Sequence, residues 1–251
     1  MKKQTVRVWI NVVAVIATIA INGLANALPL NGLTTGEISD RFDVYFVPAG
    51  YVFSIWGVIY LGLIAFAIYQ ALPSQRDNPR LMRVGILFAL SCVANVVWLF
   101  LWHYERFPLT LVAMLALLGF LIGVYLRLGI GREEVLGAER WMVRAPFSIY
   151  LGWVSVATIA NVTSLLDYLG WNGWGISEAV WAVVMLVIGA VLTTVVSLSR
   201  RDVAYALVIV WAFAGIAVKH VGTPLVAISA VVAAVWAGGV GAIAAVRRLR
   251  G

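Results

Sequence analysis

The chain has 251 residues, of which 63% are hydrophobic and only 12% charged, with a mean hydropathy of +0.98. That is too little charge to clothe a water-soluble fold. The net charge of +7 gathers between long apolar runs, where it reports membrane topology and anionic inner-leaflet lipid and argues against a nucleic-acid partner.

A membrane-spanning helix needs about 20 apolar residues to cross roughly 30 Å of hydrocarbon. In chain order such runs fall at 8–27, 51–71, 82–102, 108–128, 145–166, 178–198, 203–218 and 224–246. They predict an all-α, polytopic integral membrane bundle of about eight transmembrane helices. The first run starts basic and ends in Ala25-Asn26-Ala27, which also fits a signal peptide and its cleavage site; a retained helix is the reading adopted here. With that start inside, the inner segments hold Lys2, Lys3, Arg7, Arg76, Arg80, Arg83, Arg127, Arg132, Arg140, Arg144, Arg200, Arg201, Arg247, Arg248 and Arg250. Only Arg41, Arg106 and Lys219 fall outside, a split of 15 against 3. The positive-inside bias therefore places both termini in the cytoplasm, and the expected location is a bacterial inner membrane.

Most connections are tight. The outer stretch 29–50 is longer and is expected to fold over the bundle end as a lid; the inner stretch 129–144 carries mixed charge. In the last helix, Ala234, Gly238 and Ala242 recur every four residues, as do Ala237, Gly241 and Ala245. Such rows let helix backbones approach closely, so this helix is expected to pack against helices six and seven or against a second copy in a homodimer.

The spans carry almost no ionisable groups. Asp167, Glu178 and Asp202 sit at helix ends, and no cluster has the pattern of a hydrolytic or metal centre. His103 and His220 both lie at the outer boundary, where interfacial hydrogen bonding outweighs haem ligation. Lys219 reads as a snorkelling lysine, and Cys92, the single cysteine, as a packing residue. What the spans do hold is aromatics and amides. At 100° per residue Phe53, Trp56 and Tyr60 share a face of helix two, Asn95, Trp98 and Trp102 a face of helix three, and Tyr150, Trp153 and Asn161 a stripe of helix five. Helix packing and a pocket for a flat ligand explain these equally well. Tyr51, Trp102, Trp171 and Trp174 fall where an interfacial aromatic belt would put them.

These stripes resemble the TspO/MBR family, the tryptophan-rich sensory proteins that include the mitochondrial translocator protein, or peripheral benzodiazepine receptor. The family's loop entry into helix two is matched by Pro48-Ala49-Gly50-Tyr51-Val52-Phe53-Ser54-Ile55-Trp56-Gly57-Val58-Ile59-Tyr60. Its Asn-x-x-Trp of helix three appears as Asn95-Val96-Val97-Trp98, and its helix-five motif as Tyr150-Leu151-Gly152-Trp153 followed by Asn161. Ala49 replaces the second proline of a pair, the Phe53-to-Trp56 spacing is one residue shorter than usual, and Ile149 stands where a proline precedes the tyrosine.

The resemblance covers roughly residues 8–166. It implies a five-helix domain over 1–166, with 167–251 as a three-helix C-terminal extension. It also implies ligand binding by Tyr51, Phe53, Trp56, Tyr60, Asn95, Trp98, Tyr150, Trp153 and Asn161. The partner would be a lipophilic small molecule within the lipid bilayer, with porphyrin or haem as a ligand and no firm cofactor. The function expected is that of a sensor or carrier for tetrapyrrole-like or other aromatic molecules. A small-molecule permease is the alternative, and a porphyrin-modifying enzyme ranks third.

Overall fold

The computed structural model describes residues 2–28, 30–75, 77–135 and 137–249. Pro29, Arg76 and Arg250, and the side chains of Lys2 and Lys3, lie outside that description. Eight apolar helices carry the chain: α1 (Lys2–Ala27), α2 (Ile55–Ala71), α3 (Leu87–His103), α4 (Phe107–Arg127), α5 (Ala145–Tyr168), α6 (Glu178–Arg200), α7 (Val203–Lys219) and α8 (Pro224–Leu249). Six stretches are long and apolar enough to cross a membrane, while α3 and α7 have 17 residues each. Among the described residues all regular structure is helical, and the architecture is a helical membrane bundle.

Local chemistry explains the helix ends. Pro108 sits in the first turn of α4, where its missing N–H leaves no helical bond unmade. Asp202 caps α7 by accepting from the Tyr205 N–H at 3.2 Å. One expected span needs correction. The run 82–102 is broken at Gly85, whose φ of 56° and ψ of −135° are closed to other residues. A short helix, Pro79–Val84, therefore precedes α3, capped by the Asn78 side chain on the Arg80 N–H at 3.0 Å.

The chain forms two compact units: unit 1 is Met1–Ile38 with Trp56–Leu151, and unit 2 is Ser39–Ile55 with Gly152–Gly251. The division expected after Leu166 falls within the second of these. In unit 1, α1 and α4 both pack on α3. Phe66, Phe88 and Phe147 meet edge to face with centroids 4.9–5.5 Å apart. Gly62 lets α2 approach α5 so closely that a Cβ there would lie 2.8 Å from Pro146 Cβ. In the connections, Arg80 grips Glu139 with two bonds of 2.8 and 3.0 Å, and Asn78 adds one of 3.3 Å. Burial pushes the Glu139 carboxyl up, but Arg80, Asn78 and Arg144 outweigh it and hold it below the usual carboxylate range.

In unit 2, α6, α7 and α8 pack on one another. The buried row of α8 is Ala230, Ala233, Ala237, Gly241 and Ala244. This is one of the two small-residue rows expected, shifted by a residue at its end; Ala242 of the other row is exposed.

The long loop divides between the units. In unit 1, Asn31 Nδ2 donates to the His103 carbonyl at 3.1 Å, and Trp102 Nε1 to the Thr35 carbonyl at 3.2 Å. In unit 2, Asp40 pairs with Lys219 at 2.5 Å, and the His220 ring contacts the Val47 carbonyl at 3.2 Å. There too, the Ala49 N–H donates to the Gly215 carbonyl at 3.1 Å, and Trp211 Nε1 to that of Val52 at 3.0 Å.

Candidate functional site

Unit 1 gathers five of the expected ligand-binding residues. Trp56 and Tyr60, one turn apart on α2, stack with centroids 5.6 Å apart. Trp56 also meets the Tyr150 ring edge to face at 5.9 Å. Tyr150 is 1% exposed, and its hydroxyl accepts from Asn95 Nδ2 at 3.1 Å. Asn95 is wholly buried and in turn accepts from Asn22 Nδ2 at 2.8 Å. One turn along α3, Trp98 stacks on Trp102 at 5.5 Å. Trp98 is buried, and its indole N–H has no hydrogen-bond partner among the described residues.

The other four belong to unit 2. Phe53 meets Trp153 edge to face at 5.8 Å. Tyr51, half exposed, packs on Trp211 at 5.4 Å. Asn161 is buried and engaged.

Reading the sequence as apolar runs missed the partner of Asn95. Asn22 belongs to a polar stripe on α1, with Asn11 and Thr18, all less than 5% exposed. Asn11 Nδ2 donates to the buried Gln70 of α2 at 2.9 Å. The signal was present: residues 11, 18 and 22 lie within about 40° of one another on a 100° wheel. Isolated polar residues spaced among apolar ones do little to the mean hydropathy of the run, which is why that measure passed over them.

His220 and Lys219 are engaged as described. His103 Nδ1 lies 2.9 Å from the Leu99 carbonyl, while its Nε2 is buried without a hydrogen-bond partner among the described residues. The cluster in unit 1 thus offers ring faces, two amides, a phenol and an unanswered indole N–H.

A bundle of apolar helices with an aromatic and amide interior defines a polytopic integral membrane protein. A family model described as TSPO-like protein matches residues 8–243, and the chain belongs to that family. The matched stretch runs from α1 into α8, past the point where the motif resemblance stops. No curated protein and no solved structure matches the chain.

Proposed function

We propose that this TspO-type membrane protein binds flat, lipophilic aromatic molecules of the tetrapyrrole kind, as a sensor or carrier. The observation that carries the reading is the buried Trp98 N–H, without an acceptor, one helical turn from the Asn22–Asn95–Tyr150 chain. Leaving such a donor unmatched costs about 1–3 kcal/mol. A ligand carbonyl or carboxylate reaching it would recover that energy while its ring system stacks on indole and phenol faces. Of the nine residues expected from the sequence, the five in unit 1, Trp56, Tyr60, Asn95, Trp98 and Tyr150, are the binding cluster of this proposal.

Trp98→Phe keeps an aromatic face and removes the indole N–H. It should weaken protoporphyrin IX binding about tenfold, equivalent to about 1.4 kcal/mol, beside the modest loss of melting temperature that a smaller buried ring brings. Loss of melting temperature with unchanged affinity would leave Trp98 a packing residue.

The α1 stripe favours a second reading, a permease whose polar face serves a moving solute. Flux of a labelled porphyrin into proteoliposomes above that of protein-free vesicles marks a carrier or permease, and its absence marks a sensor. The charge distribution supports an inner-membrane location with both termini cytoplasmic. A cysteine introduced at Arg106 should then react with an impermeant maleimide from outside.

A further inference from the structure

Unit 2 contains a cavity of about 510 Å³ that the reading above does not use. It lies among the last turns of α5, the first turns of α6 and the segment around Tyr45, within the size range of small-molecule sites. Two indoles wall it. Trp171 and Trp181 sit with centroids 5.0 Å apart, and Trp181 is fixed by its Nε1 donating to the Gly173 carbonyl at 2.9 Å. Trp174 packs on both from behind, at 5.3 and 5.8 Å. Its backbone sits in the left-handed region at φ 55°, with the Asn172 side chain accepting its N–H at 3.0 Å. An aromatic belt requires only that each ring sit at headgroup level, and does not call for three indoles in mutual contact.

The lining also has one sign of charge. Asp43, Asp167 and Glu178 border the cavity, and among the described residues no Lys, Arg or His lines it. The N-terminus of α6 contributes roughly half a positive charge, far short of three carboxylates. Indole faces attract cations through their quadrupole, so rings and carboxylates select the same kind of guest. A porphyrin bearing propionates would meet repulsion there.

The geometry points to a second binding site, in unit 2, for a flat aromatic organic cation such as an N-alkylated heteroaromatic. The cation lies against Trp171 and Trp181 with its charge toward Asp167 and Glu178.

The test is equilibrium dialysis of ethidium against the full chain in phosphatidylcholine nanodiscs, with empty nanodiscs subtracted. Saturable binding is expected, with uncharged phenanthridine at pH 8 at least tenfold weaker. The Asp167→Asn, Glu178→Gln double variant changes two exposed side chains and should weaken ethidium at least tenfold with its melting temperature unchanged. Trp171→Leu should do the same through the ring. Protoporphyrin IX should bind equally with and without saturating ethidium. The proposal is overturned by ethidium binding no better than to empty nanodiscs, by equal affinity for phenanthridine, by unchanged affinity in the carboxylate variant, or by displacement of ethidium by the porphyrin.

Discussion

In unit 1 buried side-chain amides link the helices beside close glycine contacts at Gly62 and Gly123, whereas in unit 2 close contacts of glycine and alanine lead, with Trp236 Nε1 donating to Thr194 Oγ1 at 3.0 Å across α8 and α6. Asn11–Gln70 and Asn22–Asn95–Tyr150 tie α1 to α2, α3 and α5 in the first unit. In the second, Gly189 faces Phe213, Gly241 faces Ala206 and Gly152 faces Val208, each so closely that a Cβ would come within 2.7–3.1 Å of its neighbour. Lipid tails are as apolar as leucine, so burial alone drives little association between spans. Directional hydrogen bonds and close van der Waals fit are the remaining forces, and the two units weight them differently. The difference bears on use. A hydrogen-bonded interior keeps polar atoms beside a ligand, while in unit 2 the cavity walled by Trp171 and Trp181 lies at the helix ends and a second, largely apolar one of about 550 Å³ lies along α6 and α8.

The most damaging way to break the contrast is to fill a glycine contact. Gly241→Leu places its side chain against Ala206 and should lower stability by about 2–3 kcal/mol, read as a fall in melting temperature in detergent. Gly238→Leu, whose nearest neighbour would be Val210 at 3.9 Å, should cost well under half of that. Equal effects would mean that close approach is not what holds α8.

On the amide side, Asn95→Ala removes two hydrogen bonds, leaving Asn22 with its 2.9 Å bond to the Thr18 carbonyl and Tyr150 without its amide donor. Interhelical bonds in membranes average only about 0.6 kcal/mol, but unpaired buried groups add to the loss, so about 1–2 kcal/mol is expected. A double-mutant cycle with Tyr150→Phe should give a coupling near 0.5–1 kcal/mol. Strict additivity would show that the 3.1 Å contact contributes nothing.

Eight helices were legible because length and apolarity act locally, and the positions of Trp56 and Tyr60 followed from helical spacing. The break at Gly85 was not legible. A glycine inside an apolar run is compatible with an unbroken helix, and only the backbone shows which state it adopts. Tyr150 and Trp153 looked like one stripe, yet they fall in different units. Periodicity assigns a residue to a face without naming what packs there. For the same reason the sequence offered Asn95 as a polar anchor but could not pair it with Asn22.

The smallest effect concerns residues 45–49 of unit 2, which pack on His220. Burial lowers the His220 pKa below its usual 6.5; the Val47 carbonyl opposes this and Lys219 reinforces it. The folded segment thus favours the neutral ring, so its contribution is full above pH of about 6.5 and falls as the pH drops through the lowered value. Amide protection factors across residues 45–49, which allow for the slower intrinsic exchange in acid, should fall modestly between pH 7 and 5. In His220→Phe that fall should vanish.

The interruption at Gly85 leaves α3 only 17 residues long, a rise of about 26 Å against roughly 30 Å of hydrocarbon. Val93, Val97 and Phe100 are exposed on it, whereas α1 and α8 have 26 residues each. Where so short a span borders lipid, the bilayer beside it thins at a cost of a fraction of a kcal/mol per Å, so a mismatch of this size would favour a thinner, more fluid bilayer.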